Sequence, residues 1–486
     1  MTLSAVVAAH AAAQPDGAAY LGSDRLGWAE YSAGADALAR VLAARYPERG
    51  SRIAVQLPDG PEVHRLYLAA ERAGLVVVGI GPRAGTREVQ HLVETTGARD
   101  LLTALPPLDD RAPAVDPARA FTADELWFLN STSGTTGLPK IVMHHQARWF
   151  AFHRLAVATG ALTGADVFMS VLPAPFGFGL WTAHFTPAIL GAPCALLERF
   201  TPEAALAAIA EHRVTVLAAV STQFVMMLES RALADTDLSS LRVLYTGGER
   251  VPPDRAAAFE DRTGARVLQF YGSNETGALS ATALTDPQDV RLQTAGRVIE
   301  SLRVRLFDPD SGADVTAAGG PGIAACKGDV NCLGYYADDA ANRELFTTDG
   351  WMRTGDICTI DERRVLRVVG RASDFIIRGG KNISASEIEA EASTHPAVSL
   401  CTAVAMPDPI FGERVCLYVV PRDGFEPPTL DDITAHLASR GVGKELWPEH
   451  LVLVEGDLPR ASGGKVAKGT LRDDAARRAA PADRAP

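Results

Sequence analysis

The sequence has no run of 18 or more apolar residues, so no part of it is read as spanning a membrane. Cysteine is sparse: Cys194, Cys326, Cys332, Cys358, Cys401 and Cys416 are scattered and form no Cys-x-x-Cys pair. That pattern argues against a zinc site or a disulfide framework and fits free thiols in a reducing compartment. Positive charge is also short, with 47 Lys and Arg against 59 Asp and Glu and a net charge of −12. A general nucleic-acid or anionic-membrane binder is therefore excluded, and any phosphate must be met by local groups. The 30 prolines and 43 glycines mark many turns, yet they form no low-complexity tract or internal repeat. The opening "MTLSAVVAAHAAAQPDGAAY" lacks the basic start of a secretory signal, and His10 interrupts its apolar stretch. It is read as an N-terminal helix of a protein expected to be cytoplasmic.

What the sequence does hold is alternation. Between about residues 27 and 300, strand-like runs such as "RIAVQL", "LVVVGIG", "VTVLAAV" and "RVLQFYG" alternate with amphipathic stretches such as "PEVHRLYLAAERAG", "PEAALAAIAEHR" and "PPDRAAAFEDRTG". This pattern predicts layered α/β structure with largely parallel sheets. From about 300 to 370, "LRVRLFD", "GIAACKG" and "VLRVVG" predict a small β-subdomain. Beyond 371, "SASEIEAEAS" has a capping-box spacing from Ser384 to Glu387, "CTAVAM" and "VCLYVV" read as strands, and "LDDITAHLAS" reads as a helix. That stretch is a compact α+β unit, followed by a frayed tail, "DDAARRAAPADRAP".

Several motifs sit at the ends of these runs. "STSGTTGLPK" (131–140) follows the mostly apolar "ELWFLN" and packs five hydroxyl residues, two glycines and a lysine into ten positions. It is either a surface loop or a loop whose amides, hydroxyls and lysine hold a polyphosphate. It is not a Walker loop, because Lys140 is followed by Ile141 and the glycine spacing differs. "YGSNETG" (271–277) ends a strand-like run and offers Glu275, either as a ligand for phosphate-bound Mg²⁺ or as an ordinary turn carboxylate. "YTGGER" (245–250) has paired glycines that would let a flat ring approach the backbone. "RTGD" (353–356), "GRASDFIIRGGKN" (370–382) and "LPRASGGKVAKGTLR" (458–472) add Asp356, Arg371 and Lys465. Taken singly, each of these three residues reads as a solvated turn or loop charge.

The ordered set resembles the adenylate-forming superfamily: acyl- and aryl-CoA synthetases, the adenylation domains of peptide synthetases, and luciferases. The resemblance runs from "LGWAEYSAGADALARVL" to "LRDDAARR". It implies a large N-terminal domain over 1–371, a mobile C-terminal domain over 372–476 and a disordered tail over 477–486. By similarity, Thr132, Ser133, Gly134, Thr135, Thr136, Gly137 and Lys140 cradle the β- and γ-phosphates of ATP. Glu275 resembles the Mg²⁺ ligand and Thr276 an α-phosphate contact, while Gly247, Gly248 and Glu249 flank the adenine. Tyr271 and Gly272 complete the nucleotide set, Asp356 holds the ribose, and Arg371 stabilises the nucleotide. Lys465 arrives with the C-terminal domain to neutralise charge at the attacked phosphate. The hinge falls at Ser373, where the family usually has Asp or Lys; in the second pose "RGGKN" approaches the thiol.

The resemblance also bears on the acid. Gly179 stands where amino-acid-activating relatives place an aspartate, and Phe176 where many acyl-CoA synthetases have a histidine. The other presumed lining positions are Leu180, Ala183, Thr222, Tyr245, Gly247, Phe270, Ala278 and Leu279. Small and apolar groups dominate, which suits an aryl, alicyclic or branched carboxylic acid. His184 is read as a packing residue. The expected reaction is activation of such an acid with ATP and transfer to coenzyme A. The alternative acceptor is the pantetheine of a carrier protein. The remote alternative, a non-catalytic nucleotide-binding protein, sits poorly with an intact Lys465, Glu275 and Asp356.

Overall fold

The structure is a computed structural model that describes residues 1–22, 25–132, 139–249, 251–309, 311–371, 374–379, 381–460 and 466–479. The described chain forms two compact units. One takes residues 1–132, 139–304 and 326–353; the other takes residues 305–325 and 354–479. The expected α/β class holds. Among the described residues no helix is long and apolar enough to cross a membrane.

The first unit is built on two sheets. A five-stranded sheet runs Leu101–Leu102, Arg52–Val55, Val76–Gly79, Leu126–Ser131, Ile141–His145 in spatial order. All neighbours are parallel except the last pair, which is an antiparallel hairpin. The central strands are continuous buried apolar runs, as expected for strands covered on both faces. A nine-stranded sheet has a parallel centre, in which Arg266–Ser273, Val243–Gly247, Val216–Ala218, Phe168–Ser170 and Cys194–Leu196 lie side by side. Antiparallel strands Gly277–Ala281 and Arg297–Val298 close one edge of it. Helices Pro61–Arg72, Pro202–Glu211 and Pro253–Thr263 follow the strands as the periodicity predicts, each with proline in the first turn where its missing N–H costs nothing. The start of the chain is the helix Leu3–Ala13, with Leu3 and Val7 buried.

In the second unit the β-rich stretch forms one four-stranded sheet of Arg303–Phe307, Gly322–Lys327, Met352–Ile360 and Leu366–Arg371. The C-terminal sheet orders Lys381–Ser384, Phe375–Arg378, Gly412–Pro421 and Val398–Asp408, with His450–Leu453 parallel to Gly412–Pro421. Ser384 caps helix Ala385–Ala392, its side chain accepting from the Glu387 amide at 3.4 Å. On one face of this sheet Ile376, Ile388, Leu417, Ile433 and Leu437 share a core; on the other, Met406, Tyr418, Leu471 and Ala475 do. The second core corrects the reading of "DDAARRA" as frayed. It belongs to helix Lys468–Ala479, in which Leu471 and Ala475 are buried and Asp474 accepts from the Tyr418 hydroxyl at 2.8 Å. Burying two apolar residues anchors a stretch whose composition alone is that of a tail.

Candidate active site

Two loops from two different sheets meet in the first unit. After strand Leu126–Ser131 the chain returns as Ile141–His145, with Ser131 opposite Ile141 and the Thr132 amide donating to the Lys140 carbonyl at 2.9 Å. The two ends of the "STSGTTGLPK" segment are thereby fixed. In the other sheet, Arg266–Ser273 turns at 274–276 into Gly277–Ala281. A Cβ on Gly272 would lie 1.7 Å from the Gly277 carbonyl oxygen, so only glycine permits this closure. The Ser273 hydroxyl accepts from the amides of Glu275 and Thr276, each at 3.2 Å, which makes the turn rigid. Thr276 is completely buried, its hydroxyl accepting from the Ser273 amide at 3.0 Å and donating to the Gly277 carbonyl at 3.1 Å. It shapes the turn, and the side chains the turn presents are Asn274 and Glu275.

A buried polar cluster joins the loops. Asn130 Oδ1 accepts from Asn274 Nδ2 at 2.7 Å and from His144 Nε2 at 2.8 Å, while Asn130 Nδ2 donates to the Pro175 carbonyl at 2.8 Å. With its Nε2 donating, His144 presents Nδ1 as an acceptor to Arg148 at 2.5 Å. Burial, reinforced by Arg148, holds His144 well below the usual histidine range, so the ring is neutral as this arrangement requires. Arg148 also donates to the Asn274 carbonyl at 3.0 Å, and burial brings its guanidinium down to about 10, which leaves it charged at neutral pH. In a chain of net charge −12, this is a fixed cation directly beneath the 274–276 turn.

Lys140 and Glu275 approach a common residue that the sequence did not single out. The Tyr335 hydroxyl donates to Glu275 Oε1 at 2.8 Å, and the Lys140 ammonium lies 5.0 Å from the centroid of the Tyr335 ring. Burial, then the neighbouring carboxylate, push the Tyr335 phenol upward, so it remains a donor. Lys140 is also 3.9 Å from the Glu344 carboxylate. Among the described residues no cluster of three or more His, Cys, Asp or Glu could hold a metal by itself. The donor set fits Mg²⁺ carried chiefly by phosphates with one protein carboxylate, Glu275, whose Oε2 accepts nothing from the described residues.

The acid-side positions form an aromatic wall. Leu180–Phe185 is a stretch of π-helix, a form that recurs at functional sites. Phe178 and Trp181 stack at 5.5 Å, and Trp181 meets Tyr245 and Phe270 edge-on at 5.3 Å each. Leu180, Ala183, Tyr245, Gly247, Phe270, Ala278 and Leu279 are buried, Phe176, Thr222, Glu249, Tyr271 and Gly272 are half-buried, and Gly248 is exposed. The Tyr245 hydroxyl is spent on the Ala156 carbonyl at 2.8 Å, and Glu249 Oε1 accepts from the Thr222 amide at 3.2 Å. Gly179, where amino-acid-activating relatives place an aspartate, is closely packed by backbone. A Cβ there would sit 2.2 Å from the Pro173 carbonyl oxygen, so backbone fills the place where a side chain would begin. His184 packs flat between Trp127 and His64, its Nδ1 3.3 Å from that of His64, and burial holds it neutral.

In the second unit, Asp356 and Arg371 face each other across neighbouring strands, with Arg371 Nε 3.2 Å from Asp356 Oδ1. The Thr354 hydroxyl accepts from the Asp356 amide and donates to the Ala324 carbonyl, each at 3.0 Å. Helix Lys468–Ala479 is tied to Asp374 by Arg472 at 2.5 Å and to Glu389 by Lys468 at 2.7 Å. Ser133, Gly134, Thr135, Thr136, Gly137, Ser373 and Lys465 lie outside the described residues.

A family model described as AMP-binding enzyme matches residues 7–120 and 105–336, and one for the AMP-binding enzyme C-terminal domain matches 387–465. The chain belongs to the AMP-binding enzymes. It is 32% identical to the medium-chain fatty-acid–CoA ligase of Escherichia coli, over 91% of this chain and 85% of that one. It is 33% identical to the 2-hydroxy-7-methoxy-5-methyl-1-naphthoate–CoA ligase of Streptomyces carzinostaticus, over 83% and 70%. ATP-bound MatB from Rhodopseudomonas palustris superposes with a TM-score of 0.85 at 26% identity, covering 99% of this chain and 100% of that one. AMP-binding enzymes with these folds use ATP, which accords with the nucleotide motifs placed above.

Proposed function

We propose that this AMP-binding enzyme activates a hydrophobic, aryl or alicyclic carboxylic acid with ATP and transfers the acyl group to coenzyme A. One observation carries the reading. Asn130 and Asn274, from the two loops that flank Lys140 and Glu275, bond to each other, and Asn130 also donates to the Pro175 carbonyl, where the aromatic-walled 176–185 segment begins. The phosphate groups and the acid segment thus share one rigid buried junction, the arrangement needed to hold a carboxylate beside an α-phosphate. The CoA ligases among its relatives support the choice of acceptor.

In the first half-reaction a carboxylate oxygen bonds to the α-phosphorus as the bridging α–β P–O bond breaks, releasing pyrophosphate. In the second, a thiolate sulfur bonds to the acyl carbon and the C–O bond to AMP breaks. Lys140 offsets the phosphate charge, Asp356 accepts from the ribose hydroxyls, and Arg371, held 3.2 Å from that carboxylate, steadies the nucleotide. Lys465 offsets charge building at the attacked phosphate during the first half-reaction. Mg²⁺, when bound with ATP, would be held by Glu275 and would add charge neutralisation at the phosphates. The C-terminal domain over 372–476 carries Lys465 and pivots at Ser373, leaving adenylation for thioester formation.

The test is acid-dependent release of AMP across a panel of benzoate-type, cyclohexane-type and medium-chain acids, with and without CoA. AMP formation that saturates with a ring-bearing acid, and accumulates as acyl-CoA when CoA is present, is the expected result. AMP formation without acyl-CoA, relieved by a phosphopantetheinylated carrier protein, would replace the acceptor. ADP as product would overturn the reaction.

A further inference from the structure

We infer that Tyr335 is the positioning residue that sets both charged groups of the phosphate site, fixing the Glu275 carboxylate through its hydroxyl and the Lys140 ammonium through its ring. The inference rests on the reading of Glu275 as the Mg²⁺ ligand and Lys140 as a phosphate contact. Tyr335 is 8% exposed and held at both ends. Its amide donates to Asn342 Oδ1 and its carbonyl accepts from Asn342 Nδ2, each at 2.8 Å, which ties it to helix Asp339–Leu345. The flanking backbone is stitched to the strand after Lys140: the Met143 amide donates to the Gly334 carbonyl at 2.9 Å and the Tyr336 amide to the Ile141 carbonyl at 2.8 Å.

The same short segment grips the other loop twice. The Cys332 amide donates to the Glu275 backbone carbonyl at 2.8 Å, and the Tyr335 hydroxyl donates to its side chain at 2.8 Å. Glu275 is therefore fixed in backbone and in rotamer, with Oε1 occupied and Oε2 accepting nothing from the described residues. Partners of this kind, which orient a ligating carboxylate from behind, commonly change metal affinity about 10–100-fold when removed. The ring does a separate job. An ammonium 5.0 Å from an aromatic centroid gains from the negative face of the ring, and the Glu344 carboxylate lies 3.9 Å from it.

The two roles separate by substitution. Tyr335→Phe keeps the ring and deletes only the hydroxyl; Tyr335→Leu deletes both. The readout is calorimetric binding of a β,γ-methylene ATP analogue to the full-length protein at stepped Mg²⁺ and in EDTA, with Glu275→Gln alongside. Tyr335→Phe is expected to raise the half-saturating Mg²⁺ about tenfold while leaving affinity in EDTA within about twofold. Tyr335→Leu is expected to do the same and also weaken binding in EDTA by about two- to fivefold through loss of the Lys140 contact. If Glu275→Gln raises the Mg²⁺ requirement and Tyr335→Phe does not, the positioning role is wrong and the Glu275 assignment stands. If Glu275→Gln leaves the Mg²⁺ requirement unchanged, the Glu275 assignment fails and this inference falls with it. Equal weakening by Tyr335→Phe with and without Mg²⁺ would show a merely structural tyrosine, which also overturns the proposal.

Discussion

Substituting Gly179 by alanine adds a single methyl group, and the structure says where it goes. Its Cβ would lie 2.2 Å from the Pro173 carbonyl oxygen, 2.9 Å from the Pro173 carbonyl carbon and 3.2 Å from the Leu172 carbonyl oxygen. The first contact is more than about 1 Å inside ordinary carbon–oxygen separation, and its partner is backbone that cannot rotate away. Overpacking of this kind costs about 1–3 kcal/mol, and overlap with backbone puts Gly179→Ala at the upper end. Alanine recovers roughly 1 kcal/mol over glycine in a helix, so a net loss of about 2 kcal/mol is expected. Urea unfolding followed by tryptophan fluorescence reads the loss directly. The same displacement moves Pro173 and the Leu180–Phe185 stretch by several tenths of an ångström, so kcat/KM for the best acid should fall more than that for MgATP. An unfolding free energy within about 0.5 kcal/mol of the parent, with unchanged kcat/KM, would show that the Pro173 carbonyl does not occupy that position.

Lys465→Ala should slow acyl-adenylate formation about 10²–10³-fold while leaving thioester formation from supplied acyl adenylate nearly intact; equal losses in both half-reactions would make the lysine structural. An apolar ring-bearing acid should exceed its α-amino counterpart in kcat/KM by at least about a hundredfold, because an ammonium among Trp181, Phe270 and Tyr245 would be buried without a partner; comparable turnover of the two would reveal a carboxylate serving the ammonium. Burial pushes the Asp59 carboxyl from 3.8 up to about 6, against the pull of the Ala174 amide that it accepts at 2.7 Å. A carboxyl raised in the fold contributes stability below its unfolded pKa and loses it as pH rises through the folded value. From pH 4 to pH 7 the native state therefore bears a cost of up to about 3 kcal/mol, nearer 1–2 after allowance for partial solvent exposure. Asp59→Asn should accordingly stabilise the protein at pH 8 and change little at pH 4, and a pH-independent effect in urea melts would refute the assignment.

The sequence carried the nucleotide motifs because phosphate chemistry demands residue types that stand out locally. Lys140 and Lys465 are two of only six lysines in the chain, and both stand in sequence stretches rich in glycine and hydroxyl residues. Asp356 and Arg371 were found separately, and their pairing follows from strand register, which spacing alone does not give. The supporting shell was not legible. Asn130 lies near the end of an apolar strand, Arg148 near the start of a helix of apolar character and Tyr335 outside the regular elements in a bridge to Val142, and nothing near them in sequence shows that they meet. Arg148, followed directly by aromatic residues in "ARWFAF", was an available hint of a buried charge. The surroundings of Gly179 and Thr276 were hidden for a related reason. A family position identifies the residue that stands there, while backbone proximity decides whether its side chain has room or faces a ligand.

The central claim is that a carboxylate oxygen attacks the α-phosphorus of ATP. The most direct measurement supplies the best-used acid labelled with ¹⁸O in both carboxyl oxygens, together with ATP and CoA, and locates the label by mass spectrometry. One ¹⁸O is expected in the phosphoryl group of AMP and the other in the thioester carbonyl, with none in pyrophosphate. Label in inorganic phosphate or pyrophosphate, or unlabelled AMP formed alongside acyl-CoA, would contradict attack at the α-phosphorus and with it the reaction assigned to this enzyme.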